Sequence, residues 1–386
     1  MKQITITVLM AFFVALQVFA ERVDMREAGV DNQEALKNTE IINNTINRLN
    51  KAGGGTLFFP SGDYLTASIH MKSNITLELE AGATLRFSDN FDDYMPFVEM
   101  RHEGVMMKSF QPLIYATDAE NITIKGEGKL DGQGKAWWKE FFRVLIDLRD
   151  NGKRDINKYQ PLFEQANDMK TLYAETNVDW HSTLDRRFLR PPFIQPLRCR
   201  NVRIEGITIV NSPFWTVNPN FCDNVTVKGV TINNVPSPNT DGINPESCSN
   251  VHISDCHISV GDDCITIKSG RDLQARKIGR PCENITITNC TMLSGHGGVV
   301  IGSEMSGGVK KVTISNCVFD GTDRGIRIKS TRGRGGVVED IRVSNVVMSD
   351  IKREAVVLNL KYSQMKMEKK SERTPVFRNI FVTGLT

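Results

Sequence analysis

The strongest limit on what this chain can fold into is a nine-residue pattern that stands six times in its second half. It reads N-V-R-I-E-G-I-T-I from Asn201, N-V-T-V-K-G-V-T-I from Asn224, N-V-H-I-S-D-C-H-I from Asn250 and N-I-T-I-T-N-C-T-M from Asn284. Weaker copies are K-V-T-I-S-N-C-V-F from Lys311 and D-I-R-V-S-N-V-V-M from Asp340. Apolar and polar residues alternate, so each copy is a strand with one buried face. The copies begin 23 to 34 residues apart, each on a polar turn residue, which is the sequence form of one coil of a parallel β-helix. N-I-T-L-E-L-E at Asn74 and N-I-T-I-K-G-E at Asn121 extend the solenoid toward the N-terminus. The predicted fold is all-β, a single-stranded parallel β-helix.

A chain of 386 residues is longer than one globular core usually supports, whereas a solenoid adds coils along one axis without that limit. Its ends need covering. Residues 35–50 have helical spacing and precede G-G-G-T-L-F-F-P, which predicts an N-terminal helical cap. At the other end, N-I-F-V-T-G-L-T opens a further coil and no cap follows, so a longer parent protein is expected. Residues 133–196 fit no coil. Trp137, Trp138, Phe141 and Phe142 occur there without period-2 spacing, and the segment is read as a partly helical insertion. Packing over the solenoid and forming a wall beside a cleft are both open to it.

Lys2, the apolar run Ile4–Phe19 and the small residues Val18 and Ala20 make residues 1–20 an expected export signal, with 21–386 as the β-helix domain. The apolar run is short of the ~20 residues a spanning helix needs. A secreted or periplasmic protein is expected, free of the membrane once the signal is cut, and monomeric. Losing Lys2 takes the formal net charge from +3 to +2, too little and too dispersed to suggest nucleic acid as a partner. Of the eight cysteines, Cys256, Cys290 and Cys317 occupy the seventh position of the pattern, held elsewhere by Ile207, Val230 and Val346. A reduced core column is expected there, because parallel Cβ vectors suit disulfide geometry poorly. The pattern assigns no place to Cys199, Cys222, Cys248, Cys264 and Cys282.

Downstream of four copies a second strand aligns without gaps, starting at Gly242, Cys264, Gly298 and Gly325. Ile243, Ile265, Val299 and Ile326 form its inward column. In this alignment Asp241 lies beneath Asp263 and Asp262 beneath His296, while Lys268 and Lys329 share a column with Glu246 and Gly302. Coils stack about 4.8 Å apart. The alignment therefore gathers three carboxylates, an imidazole, Arg327 and Lys329 into one patch. Ordinary solvation accounts for each polar residue singly, but not for three unpaired Asp side chains on neighbouring coils, whose repulsion costs stability. Such carboxylates suit acid/base work on an acetal: they cannot all ionise easily, so one keeps its proton as general acid while another holds water. Arg327 and Lys329, about two coils from Asp263, suit a sugar carboxylate, Arg by a bidentate fork and Lys as a point charge. The expected partner is an acidic polysaccharide.

At these residues the sequence resembles glycoside hydrolase family 28, the polygalacturonases. The family's marks N-T-D, D-D, G-H-G and R-x-K stand here as Asn239-Thr240-Asp241, Gly261-Asp262-Asp263, Gly295-His296-Gly297 and Arg327-Ile328-Lys329, in order and on successive coils. G-S-E-M-S-G-G-V at Gly302–Val309 looks like the bacterial exo-acting branch. The resemblance implies a right-handed, pectin-lyase-like β-helix that hydrolyses the α-1,4 bonds of polygalacturonate with inversion, using neither metal nor other cofactor. It implies Asp262 as general acid, Asp241 and Asp263 as the groups that activate water, and His296 as support for the acid. Arg327 and Lys329 would hold the sugar carboxylate, with Asn239 and Lys268 as further expected substrate contacts. Rhamnogalacturonan hydrolases share the fold and the aspartates. A calcium-dependent lyase is a rival reading, since clustered carboxylates bind Ca²⁺, but it leaves Asp262 and His296 without a use. A non-catalytic adhesin would bind polymer without needing the aspartates. R-G-R-G-G at Arg332–Gly336 is read as a turn, since a phosphate loop would carry a Walker lysine and a following helix.

Overall fold

A computed structural model describes residues 20–151, 158–168, 188–362 and 368–386. Residues 1–19, on which the expected export signal falls, lie outside the described residues. No helix among the described residues is long and apolar enough to cross a membrane.

The repeat forms a parallel β-helix. Among the described residues one sheet of 18 strands runs along it. A further face carries Ile69–His70, Ile114–Thr117 and Ile194–Leu197, then Asp263–Ile267, Gly297–Ile301, Ile326–Lys329 and Val356–Asn359. Bridges from Ile194 to Val217, Val217 to Ile243 and Ile243 to Ile265 join the two groups. The register agrees with the sequence alignment: Val299 pairs with Ile265 on one side and Ile326 on the other.

In four of the copies the nine residues do not make the single strand that alternation suggests. Arg200–Glu205 stops at a corner and Thr208–Val210 starts on a new face. The sixth pattern residue makes that corner, and all six examples have positive φ: Gly206 (75°), Gly229 (62°), Asp255 (60°), Asn289 (58°), Asn316 (55°) and Asn345 (52°). The first position is left-handed too, with Asn201, Asn224, Asn250 and Asn284 all at 57°. Asn and Asp tolerate this region because their short polar side chains can hydrogen-bond locally. The corner shifts the parity, so Val202, Ile204, Ile207 and Ile209 all point inward and are buried. In the last two copies the strands Val309–Asp320 and Val337–Ser349 run through the corner.

All eight cysteines are free and buried. Cys199, Cys222, Cys248 and Cys282 form a second column just before the repeat strands, and the N–H groups of Cys222 and Cys248 point at the next sulfur, each at 3.4 Å.

The helix α1 (Ala35–Lys51) covers the first coil with Ile42, Ile46 and Leu49 fully buried. The insertion contributes α2 (Lys135–Asn151) and α3 (Gln160–Ala166). It ends earlier than the sequence suggests: Ile194, Gln195 and Pro196 already belong to a strand paired with Ile114–Thr117. Trp137 of α2 is fully buried among Phe91, Tyr94, Phe110 and Phe188. An antiparallel hairpin, Val98–His102 with Val105–Ser109, has no counterpart in the repeat, and α3 packs on it, with Phe163 stacked on Phe97 at 4.6 Å.

The two cysteine columns, and the equally buried Cys264 outside them, are expected to be inert in the folded protein. A thiol reagent should label none of the eight residues before denaturation and all of them after it. Native mass spectrometry showing a bridged pair would contradict the columnar packing.

Candidate active site

The register places Asp241, Asp262 and Asp263 at the starts of two neighbouring coils. One carboxylate oxygen from each lies within 4.8 Å of the other two. Asp241 is 2 % exposed; its Oδ2 accepts from Asn244 Nδ2 (3.0 Å) and Thr266 Oγ1 (3.3 Å), with Lys268 Nζ at 3.6 Å. Asp263 is 1 % exposed, and its Oδ2 accepts from Lys329 Nζ at 2.6 Å. Its Oδ1 is buried and meets no donor among the described residues. Asp262 is more open: its Oδ1 accepts from the Asp263 N–H (2.9 Å) and faces His296 Nδ1 (3.2 Å), and its Oδ2 faces Asn239 Nδ2 (3.4 Å).

The predicted residues thus converge, but two expectations are corrected. The aspartates are not unpaired, since each has a cationic or titratable neighbour. Lys329 is also not a free cation two coils away: it is 4 % exposed and folds back onto Asp263. Lys268 is likewise buried, bonded to Glu304 Oε2 at 2.9 Å and lying 4.4 Å over the Trp215 ring. The reason is desolvation: an ammonium on this inward-crowded face is stable only against a carboxylate. Arg327 is half-buried, with its guanidinium 5.7 Å over the Tyr362 ring.

These contacts drive the titrations apart. Burial, with repulsion from Asp262, pushes the Asp241 carboxyl well above the usual range, against the pull of Lys268. Burial acts on Asp262 the same way, but the His296 hydrogen bond and the Lys329 field outweigh it and hold that carboxyl at about 2. The same bond raises His296 above its ordinary 6.5, with burial opposing. The Asp262–His296 pair therefore keeps one proton near neutral pH, and Asp241 keeps another to unusually high pH for a carboxylate.

Three features here carry no signal in the repeat. Glu304 is buried where Lys268, Arg271 (3.1 Å) and Arg334 (3.3 Å) converge. Arg190, at the end of the insertion, donates to Asn239 Oδ1 at 2.8 Å. The hairpin packs beside these coils, from that of Gln195, two before Asp241, to Arg271 on that of Asp263. There Gln195 Nε2 donates to the Arg101 carbonyl (2.8 Å), and the fully buried Arg101 side chain reaches Ser247 Oγ (3.1 Å) and Glu246 (3.6 Å). R-G-R-G-G forms a turn as read, and its Arg334 serves Glu304.

The family model described as glycosyl hydrolases family 28 matches residues 177–386. A relative from Vitis vinifera, named as a probable polygalacturonase, is 32% identical over 84% of this chain and 60% of its own length. An exo-poly-alpha-D-galacturonosidase of Dickeya chrysanthemi is 27% identical over 88% of this chain and 57% of its own. The chain thus spans about three fifths of the length of these relatives. Among solved structures, a hyperthermoactive exopolygalacturonase from Thermotoga maritima is similar with a TM-score of 0.81 and 36% identity, covering 96% of this chain and 81% of that one.

The electrostatics can be tested without any activity. His296 should titrate above 6.5 by NMR, and Asp262→Asn, which removes both the bond and the charge, should bring it back to 6.5 or lower. An unchanged His296 titration in that variant would remove the coupling.

Proposed function

This chain belongs to glycosyl hydrolases family 28, and from that membership and the three-carboxylate cluster we propose that it hydrolyses α-1,4 bonds of polygalacturonate, removing units from a chain end. The observation that carries the chemistry is Asp263 Oδ1: a buried carboxylate oxygen with no donor among the described residues, beside a second carboxylate and beside a pair that holds a proton. Gly297 keeps the space before it clear, since a Cβ there would stand 3.4 Å from that oxygen and 2.5 Å from Val300 Cγ2.

In this reading Asp262 is the general acid: the proton of its pair rests on His296 and passes through Asp262 to the leaving glycosidic oxygen. A water held between Asp241 and Asp263 attacks the anomeric carbon from the opposite side; Asp241, which keeps its own proton, orients that water, and the water's proton passes to Asp263, which gives inversion. Oxygens as close as 4.8 Å can share one bridging water, so the wider spacing usual for two-carboxylate inverting sites is not required of three. Lys329 holds the base Asp263 and Lys268 lies beside Asp241; Arg327, the more open cation, faces the sugar carboxylate. Asn239 is assigned to the acid's environment rather than to the sugar.

End-wise action is supported by the hairpin, which packs beside the aspartates from Gln195, two coils before Asp241, through Glu246 to Arg271, with α3 packed behind it. Calcium-dependent lyase chemistry fits less well. Ammonium groups at 2.6 and 3.6 Å already neutralise the carboxylates that a cation would need. We also propose that the chain is exported through its apolar N-terminus and acts as a monomer.

Incubated with polygalacturonate, the protein should release monomer or dimer from the outset, with unchanged rate under chelator and no unsaturated product; chromatography on rhamnogalacturonan in parallel tests the sister substrate. Asp262→Asn should lose roughly 10²–10⁴ of turnover while folding normally, as loss of a general acid does. Near wild-type turnover in that variant would sink the assignment. Because Lys329 serves Asp263, Lys329→Met should lower kcat with KM little changed; a purely KM effect would return Lys329 to sugar binding.

A further inference from the structure

The insertion brings to the site a side chain that none of the family's marks contains. Arg190 is 2 % exposed, with its guanidinium 4.0 Å over the ring of Phe141 on α2 and 5.1 Å over Phe214. Its Nη1 donates to the carbonyls of Pro213 (3.1 Å) and Pro238 (2.7 Å), and its Nη2 donates to Asn239 Oδ1 (2.8 Å). Asn239 has φ 52° and stands two residues before Asp241, and its Nδ2 points at Asp262 Oδ2, 3.4 Å away. α2 is tied down in turn: Trp138 Nε1 donates to the Ser212 carbonyl at 2.9 Å, one residue before Pro213.

A guanidinium can only donate. Its bond to Asn239 therefore decides which end of that amide is which: the oxygen faces Arg190, so the NH₂ end faces Asp262. Turned over, the amide would set its oxygen against a carboxylate and its NH₂ against a cation, two repulsive contacts in place of two attractive ones. From this geometry we infer that Arg190 is a positioning residue for Asp262. It holds Asn239 in the one orientation that donates to the acid, and through Pro238 it fixes the loop that leads to Asp241. Through Arg190 the insertion thus serves the chemistry from a distance. This inference rests on the reading of Asp262 as the acid.

Arg190→Met keeps an apolar stem against Phe141 and removes every donor. The expected result is a kcat lower by about 10- to 100-fold, the size of loss that slight misplacement of a reacting group produces, with KM unchanged. The alkaline limb of kcat/KM should move to higher pH. The sign follows from the bond: a donor to Asp262 favours its ionised form, so without the donor the Asp262–His296 pair holds its proton longer. Should Arg190→Met fold poorly, Asn239→Asp keeps the bond to Arg190 and turns the donor facing Asp262 into an acceptor. It should raise the alkaline limb in the same direction. Arg190→Met combined with Asn239→Ala should be no slower than the worse single variant, because the first acts through the second. Additive losses with an unmoved pH limb would make Arg190 a scaffold residue only and overturn the inference. A failure of the acid assignment is recognised separately: Asp262→Asn would keep its turnover, while the His296 titration read by NMR in Arg190→Met would still move upward if Arg190 orients Asn239.

Discussion

Consecutive coils hydrogen-bond to one another in register, about 4.8 Å apart, and everything else in the molecule is placed by that. The column Val202, Val225, Val251, Ile285, Val312, Ile341 runs through six coils without a slip. A slip of one residue would turn every inward side chain outward. Register therefore cannot drift, and a polar group on a strand is fixed as firmly as the core beneath it. Asp241, Asp262, Asp263 and His296 reach their positions on three coils without any loop having to close over them. For chemistry that depends on reacting groups being held in place before the substrate arrives, this is a favourable scaffold.

The same rigidity lets the molecule tolerate a dense set of buried charges. Arg101, Glu246, Asp263, Lys268, Lys329, Arg334 and Glu304 are all at most 6 % exposed. Buried ion pairs rarely add net stability, because desolvating both partners offsets their attraction, yet removing one partner leaves a bare charge at a cost of about 3–5 kcal/mol. Such a network persists where the surrounding apolar columns are stable enough to hold it, and its effect is orientation. Glu304 shows this well. It draws Lys268, Arg271 and Arg334 to one point, and Arg271 also donates to Glu103 of the hairpin at 3.2 Å. The hairpin is thereby tied to the lysine that faces Asp241.

What was legible in the sequence follows the same division. The coils, their inward columns and the meeting of the three aspartates all derive from a period, and a period is visible in one sequence. The corner inside each copy was also visible in principle, since Gly, Asp and Asn at the sixth position are the residues that accept positive φ, but alternation alone hid it. The hairpin at 98–109, Glu304 and Arg190 come from stretches without period, and their contacts span tens of residues or more: Arg101 to Ser247, or Arg190 to Asn239. No local pattern encodes such pairs. The fate of Lys329 was illegible for another reason. The register gave its column correctly, but not that a flexible four-carbon stem would lean back two coils to reach Asp263.

The partners given to the three aspartates differ in a way that fits the roles proposed for them. Asp263 faces Lys329 at 2.6 Å and Asp241 faces Lys268 at 3.6 Å, both cations that keep their charge throughout the physiological range. Asp262 alone faces a titratable partner, His296, at 3.2 Å. A permanent cation bonded directly to a carboxylate, as Lys329 is to Asp263, suits a group that accepts a proton from water. An imidazole can hold a proton and return it, which suits a group that must give one up and be recharged. The lysine of Asp241 is shared with Glu304, so its hold is divided, and burial and Asp262 still raise that carboxyl. In the proposed mechanism Asp263, whose lysine is bonded to it directly, is the base, and its Oδ1, which meets no donor among the described residues, is the acceptor open to the proton from water.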